Sequence, residues 1–167
     1  MDGLDQCYAV TIASGKILLA GAAQYSGSDY DFAIARLNSS GSLDTTFDGD
    51  GKKTFGFDIG GSKTDVANGI RVQSDGKIVV AGFAKTSSGD DYAVARLNTT
   101  GSLDTTGSLD TTGSLDTTFG SGGKMASGRT GDDRANGLAI QSNGRIVIAG
   151  FSNINGTYDF AVARLMN

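Results

Sequence analysis

The chain is written three times over, and that constrains its fold more than any other feature. "ANGIRVQSDGKIVVAGF" (Ala67 to Phe83) returns as "ANGLAIQSNGRIVIAGF" (Ala135 to Phe151), and a decayed form, "CYAVTIASGKILLAGA", runs from Cys7 to Ala22. Behind each lies a second block: "DFAIARLN" (Asp31 to Asn38), "DYAVARLN" (Asp91 to Asn98) and "DFAVARLMN" (Asp159 to Asn167). Arg36, Arg96 and Arg164 are equivalent, at intervals of 60 and 68 residues. The longer interval contains two extra copies of a hexamer, so the underlying period is near 60. Parts that repeat at a fixed period fold alike and stack on their neighbours.

The hexamer reads "GSLDTTGSLDTTGSLDTTF" from Gly101 to Phe119, and stands once in the first unit, Gly41 to Thr46. Doubling a loop costs only about 0.6 kcal/mol, whereas an insertion within a paired strand breaks its ladder. Residues 101–112 are therefore expected to be a loop expansion outside any sheet. Within one copy, Asp44 or Asp116 is expected to accept bonds from following backbone N–H groups as an Asx turn. Leu43 and Phe47, or Leu115 and Phe119, would anchor the loop, each burial contributing roughly 1.5–3 kcal/mol. The spare Leu103 and Leu109 would be partly exposed.

Each unit reads as four short strands. "GIRVQ" (Gly69 to Gln73) alternates apolar and polar residues, and "SDG" or "SNG" supplies a hairpin turn. "KIVVAGF" (Lys77 to Phe83) is nearly continuous in apolar residues, as in a strand covered on both faces. "DYAVARL" (Asp91 to Leu97) follows, with Ala93, Ala95 and Leu97 on a thin face that admits a second sheet. The fourth strand is "KKTFGF" (Lys52 to Phe57), degraded later to "GKMAS". Gly21, Gly82 and Gly150 recur inside the second strand, where glycine marks close backbone approach, here expected between neighbouring sheets. The reading is an all-β, β-propeller-like array of about three four-stranded antiparallel blades. The units fall at about 5–64, 65–132 and 133–167, and the last lacks its fourth strand. Three blades do not close a ring that needs roughly four to eight, so the array is incomplete as a single chain. It is expected to be a homo-oligomer or part of a longer repeat array, a pair giving six blades being the simplest closure.

Composition excludes several functions. With no histidine, Ser-His-Asp and Cys-His catalysis and histidine zinc sites are out of reach. The net charge of −4 comes without a basic cluster, which argues against nucleic acid as a partner. No apolar run approaches the roughly 18 residues of a membrane span. The opening "MDGLDQCYAV" has neither a basic n-region nor an apolar h-region, so it does not read as a signal peptide. The chain is then cytoplasmic, or a leader or further repeats lie upstream.

"ANGIRVQSDGKIVVAGF…DDYAVARLNTTGSLDTTF" resembles the delta-60 repeat of bacterial proteins, whose pattern joins a DGKIVVAG-like core, a DFALARYN-like strand and a GSLDTTFG-like turn. The resemblance covers nearly the whole chain. It implies a propeller-like blade and a large secreted or cell-surface protein, hence an extracellular or cell-surface location. The tripled hexamer and the small number of units depart from the pattern.

Candidate site residues are few. Asp31, Asp91 and Asp159, like Arg36, Arg96 and Arg164, recur in every unit, which favours a structural bond such as Arg96 to a turn carbonyl or to Asp116. Asp48 and Asp50 of "FDGDGKKT" are the weak metal candidates. An EF-hand wants glycine at position six and glutamate at twelve, where Lys53 and Ile59 stand. Cys7 aligns with Ala67 and Ala135 and is expected to be small and buried. Asn38, Asn98 and Asn155 head sequons read as turn chemistry. No catalytic residue and no cofactor is assigned. The reading is a non-enzymatic repeat scaffold that binds a protein or glycan partner across a blade end. The alternative is the propeller portion of a hydrolase-type enzyme whose carboxylates converge near the axis, with Asp48, Asp50 and Asp58 the nearest candidates.

Overall fold

The computed structural model describes residues 4–60, 64–101, 124–127 and 131–165. The hexamer expansion beyond Gly101, with Leu103, Leu109, Leu115, Asp116 and Phe119, lies outside them. All regular structure among the described residues is β-strand: β1 (Asp5–Ala13), β2 (Lys16–Ser26), β3 (Asp29–Leu37), β4 (Lys52–Phe55), β5 (Asp65–Val72), β6 (Ile78–Thr86), β7 (Gly89–Leu97), β8 (Lys124–Ser127), β9 (Asp133–Ile140), β10 (Ile146–Ile154) and β11 (Thr157–Leu165). They form three antiparallel meanders, ordered β1-β2-β3-β4, β5-β6-β7-β8 and β9-β10-β11. These are propeller-like blades, and they do not close.

The sheets bury one another. Ile78, Val80, Ala93, Ala95 and Leu97 of the second sheet share a core with Leu18, Ala20, Phe32, Ile34 and Phe47 of the first. The opposite side chains of the same two strands, Val79, Ala81 and Val94, pack with Ala135, Leu138, Ile146 and Ile148 of the third. The continuous apolar run of β6 thus serves two cores. The alanine face of β7 receives the first sheet, as its thinness leads one to expect.

Three local expectations need correction. The close approach at Gly21, Gly82 and Gly150 is within a sheet rather than between sheets. A Cβ there would sit 1.8 Å from the Gln6 carbonyl oxygen, 1.9 Å from that of Val66 and 1.9 Å from that of Arg134. The cause is a bulge that shifts the register of β1 between Cys7 and Ala9 and of β5 between Ala67 and Gly69. The equivalent shift in the third sheet, opposite Ala149 and Gly150, skips Asn136 of β9. Each bulge thrusts a carbonyl at the facing glycine. The bulge also extends the first strand backwards, so β5 begins at Asp65 rather than Gly69. Finally, the fourth strand stops at Phe55. Phe57 leaves the ladder to pack edge-on against Phe32, with centroids 5.0 Å apart.

Two stability measurements follow. Gly82→Ala should lower the free energy of unfolding by roughly 2–4 kcal/mol in denaturant titration, because its Cβ meets backbone that cannot yield. Excising residues 101–112 should leave the melting temperature nearly unchanged, since Gly113 then takes the place of Gly101. That place matters: a Cβ on Gly101 would lie 2.1 Å from the Phe47 ring.

Candidate functional site

Charged side chains gather at the two ends of the blades. At one end β3 runs out at Leu37, and an isolated bridge between Leu37 and Leu43 turns the chain back. This delivers Asp44, which is 3% exposed, into a nest of donors. Its Oδ2 receives Arg36 Nε at 2.9 Å and Lys16 Nζ at 3.0 Å. Its Oδ1 receives the Thr46 hydroxyl at 2.7 Å and the Thr46 N–H at 3.2 Å. The Thr46 and Lys16 bonds, helped by the Arg36 charge, hold the carboxyl well below the usual carboxylate range against the effect of burial. The Asx turn is therefore present. Arg36 also lies 4.8 Å above the Phe47 ring and donates to the Thr99 carbonyl of the second blade. Asp48 N–H donates to Thr100 O at 2.7 Å. One hexamer thus ties its own blade together and grips the next.

Leu43 does not anchor this loop as expected; it is 39% exposed, whereas Phe47 is fully buried. The bridge to Leu37 uses the backbone of Leu43 and turns its side chain outward, so Phe47 alone supplies the apolar anchor.

At the other end carboxylates stand between the blades. Asp65 accepts the Phe57 N–H at 2.6 Å and the Lys85 N–H at 3.3 Å. Burial, with Asp31 and Asp58 nearby, outweighs these bonds and pushes its pKa up to about 6. Lys124 bonds the Gly56 carbonyl at 2.8 Å and covers the Phe57 ring. At the next contact Asp90, fully buried, binds Lys85 Nζ at 3.2 Å and Arg134 Nε at 2.6 Å. Arg134 in turn lies 4.3 Å above the Phe83 ring. Asp91 is pushed upward by burial first and then by Asp133 and Asp90. Tyr92, raised by burial and by Asp133, donates its hydroxyl to the Phe151 carbonyl of the third sheet at 2.8 Å.

Of the recurring positions, Arg36, Asp31 and Asp91 lie at these blade contacts, whereas Asp159 and Arg164 of the third sheet are exposed. Arg36 takes a carboxylate and a carbonyl, the two partners foreseen for this position. Asp31 and Asp91 flank Asp65 and Asp90. Asp48 pairs with Lys53 at 3.0 Å, and Asp50 accepts the Lys52 N–H at 2.8 Å as a turn residue. Among the described residues no group of three or more metal-binding side chains converges. Cys7, expected to be buried, is exposed. Its equivalents Ala67 and Ala135 are covered by a neighbouring sheet, and among the described residues no sheet covers that face of β1. Sequence reasoning missed Asp65, Asp90, Lys85 and Arg134. One signal was available: aspartate stands two residues before "AN" in both "DVANG" and "DRANG".

A family model described as a domain of unknown function (DUF5122) beta-propeller matches residues 12–47, 73–106 and 141–167, more than half of the chain. Each matched segment opens beside the first hairpin turn of a blade and takes in its second and third strands, and the first two run on into the hexamer. No curated protein matches the chain.

The two kinds of carboxylate should oppose each other with pH. Asp65 is raised in the folded state, so its contribution is complete below about pH 3.8 and is lost as pH rises through about 6. Asp44 is lowered, so its contribution is present above about pH 3.8 and is lost in stronger acid. Thermal melts should show highest stability near pH 4, falling towards neutrality. Asp65→Asn should reduce that fall, and an unchanged slope would disprove the assignment. Asp44→Ala should cost about 3 kcal/mol at neutral pH, because it strands the largely covered Arg36 and unpairs the part-exposed Lys16.

Proposed function

As the chain belongs to the DUF5122 β-propeller family, we propose that it serves as a non-catalytic repeat scaffold that engages a glycan or protein partner through a blade end. The observation that carries this reading is the employment of the charged groups. Arg36, Asp44, Asp65, Lys85, Asp90 and Arg134 are each bonded within or between blades, which leaves them to architecture rather than to turnover. The finer kinship with delta-60 repeats, resting on "SDGKIVVAG", "DYAVARLN" and "GSLDTTF", supports a large bacterial protein of the cell surface or the exterior. A fold alone carries no activity, so the residues of the blade end decide the partner.

The binding end is the one bearing the β2–β3 hairpin. Tyr25, near the end of β2, is 76% exposed there and Ile59, on the β4–β5 connection, 40%, at the end that also holds Asp31 and Asp58. An exposed aromatic beside carboxylates suits the apolar face and hydroxyls of a sugar. A glycan array probed with the purified chain should give discrete positives, and Tyr25→Ala should weaken the strongest about tenfold, or 1.4 kcal/mol. Hydrolysis of a panel of glycosides, abolished by Asp58→Asn, would favour the enzyme instead.

A further inference from the structure

The two outermost faces of the array carry the halves of an interface that the molecule already uses twice. Phe32 and Ile34 of β3 are 0% and 1% exposed beneath the second sheet, and Val94 of β7 is 1% exposed beneath the third. Their equivalents on β11, Phe160 and Val162, are 100% and 71% exposed. The opposite end shows the converse. Ile70 of β5 and Leu138 of β9 are buried against the preceding sheet, whereas their equivalent Val10 on β1 is 58% exposed and Ile12 is 73% exposed. Each end face also holds an apolar hollow. One, of about 550 Å³, is lined by Gly137, Ala149, Phe151 and Phe160. The other, of about 210 Å³, is lined by Leu19, Gly21, Ala33 and Ala35.

We propose that the Phe160–Val162 face of the third sheet docks on the Val10–Ile12 face of the first sheet of a second copy of this chain, head to tail, so that two copies close one ring. The internal contacts show what covers such a face. The β7 side meets the side of the next sheet that presents Leu138, and Val10 occupies that place on β1. Polar groups continue the series. Asn68 donates to Ala135 O at 2.9 Å and Gln73 to Gly144 O at 2.9 Å across the second contact. Their equivalents Asn136 and Gln141 are exposed and aligned to reach the β1 backbone and turn of the second copy. Each copy holds both halves, so a two-fold pair satisfies both contacts at once and leaves no face open. Three sheets from each copy give a total within the roughly four to eight blades that close a propeller.

Sedimentation velocity over a broad range of concentration tests this. The full chain should run at twice its mass of 17.0 kDa. Phe160→Asp and Val10→Asp alter exposed positions on opposite faces, so both should keep the far-ultraviolet spectrum of the folded chain and each should run at half the wild-type mass. An equimolar mixture of the two variants retains one intact contact and should recover a pair. Cys7 beside Val10 gives a second readout: its thiol should react slowly with Ellman's reagent in the wild type and fast in either variant. A monomeric wild type overturns the proposal, as would a longer array completed only by further repeats. A ladder of higher masses overturns closure. A pair that survives either single substitution overturns head-to-tail docking.

Discussion

Everything in this molecule depends on burying both faces of a sheet that is only a few residues wide. A single blade has a thin interior, and its hydrogen-bonded ladder contributes little net stability while both faces remain in water. Stability arises when β6 and β7 place Ile78, Val80, Ala93 and Ala95 against one neighbour and Val79, Ala81 and Val94 against the other. Burial at roughly 25 cal/mol per Å² acts twice on the same strands. The bulges at the start of β1 and β5 and the glycines that face them keep each sheet narrow and twisted enough to stack. For this reason the same three glycine positions persist even where the surrounding strand has decayed.

Carboxylates placed between sheets run against that economy, since a buried charge costs more than an apolar group of the same size. The arrangement of donors resolves the difficulty. Asp90 sits between Lys85 and Arg134, and Asp65 receives the Phe57 N–H where the chain crosses from blade to blade and shares the Lys85 N–H with the Thr64 carbonyl. A crossing strand that leaves one ladder and has not yet joined the next needs such an acceptor. These acids fix the angle and register between blades, which apolar contact alone leaves loose. Asp44 does the same work at the opposite end for the returning hexamer.

Much of this was legible in the residues. The period, the three central strands of each unit and the two-sided burial of "KIVVAGF" follow from repetition and from the spacing of apolar side chains. The Asx turn at Asp44 follows from the short side chain of aspartate and the N–H groups after it. What escaped notice depends on contacts far apart in sequence. Asp65 meets Lys85 across a sheet, and Asp90 meets Arg134 across two units. No local spacing announces either. Leu43 and Cys7 were misplaced for a related reason. An apolar or small residue type reveals a preference for burial, but whether a neighbour exists to bury it is a property of the assembled array. The glycines were read correctly as points of close approach and assigned to the wrong partner, because a bulge leaves no mark in a single strand.

The boundary of the matched family segment clarifies how the repeat is built. The first two matches run from the first hairpin turn through the hexamer, Ile12 to Phe47 and Gln73 to Thr106, not from the first strand of a blade to its last. The conserving unit is therefore offset from the structural one, and the first hexamer belongs to one blade while gripping the next through Phe47 and Gly101. An offset of this kind makes every copy of the sequence responsible for a junction as well as for a sheet. It also explains how a hexamer can be multiplied at low cost. The junction needs one glycine at the ring of Phe47 and one Asp–Thr turn. Duplication in whole hexamers preserves both in register, whereas any other length of insertion would displace them.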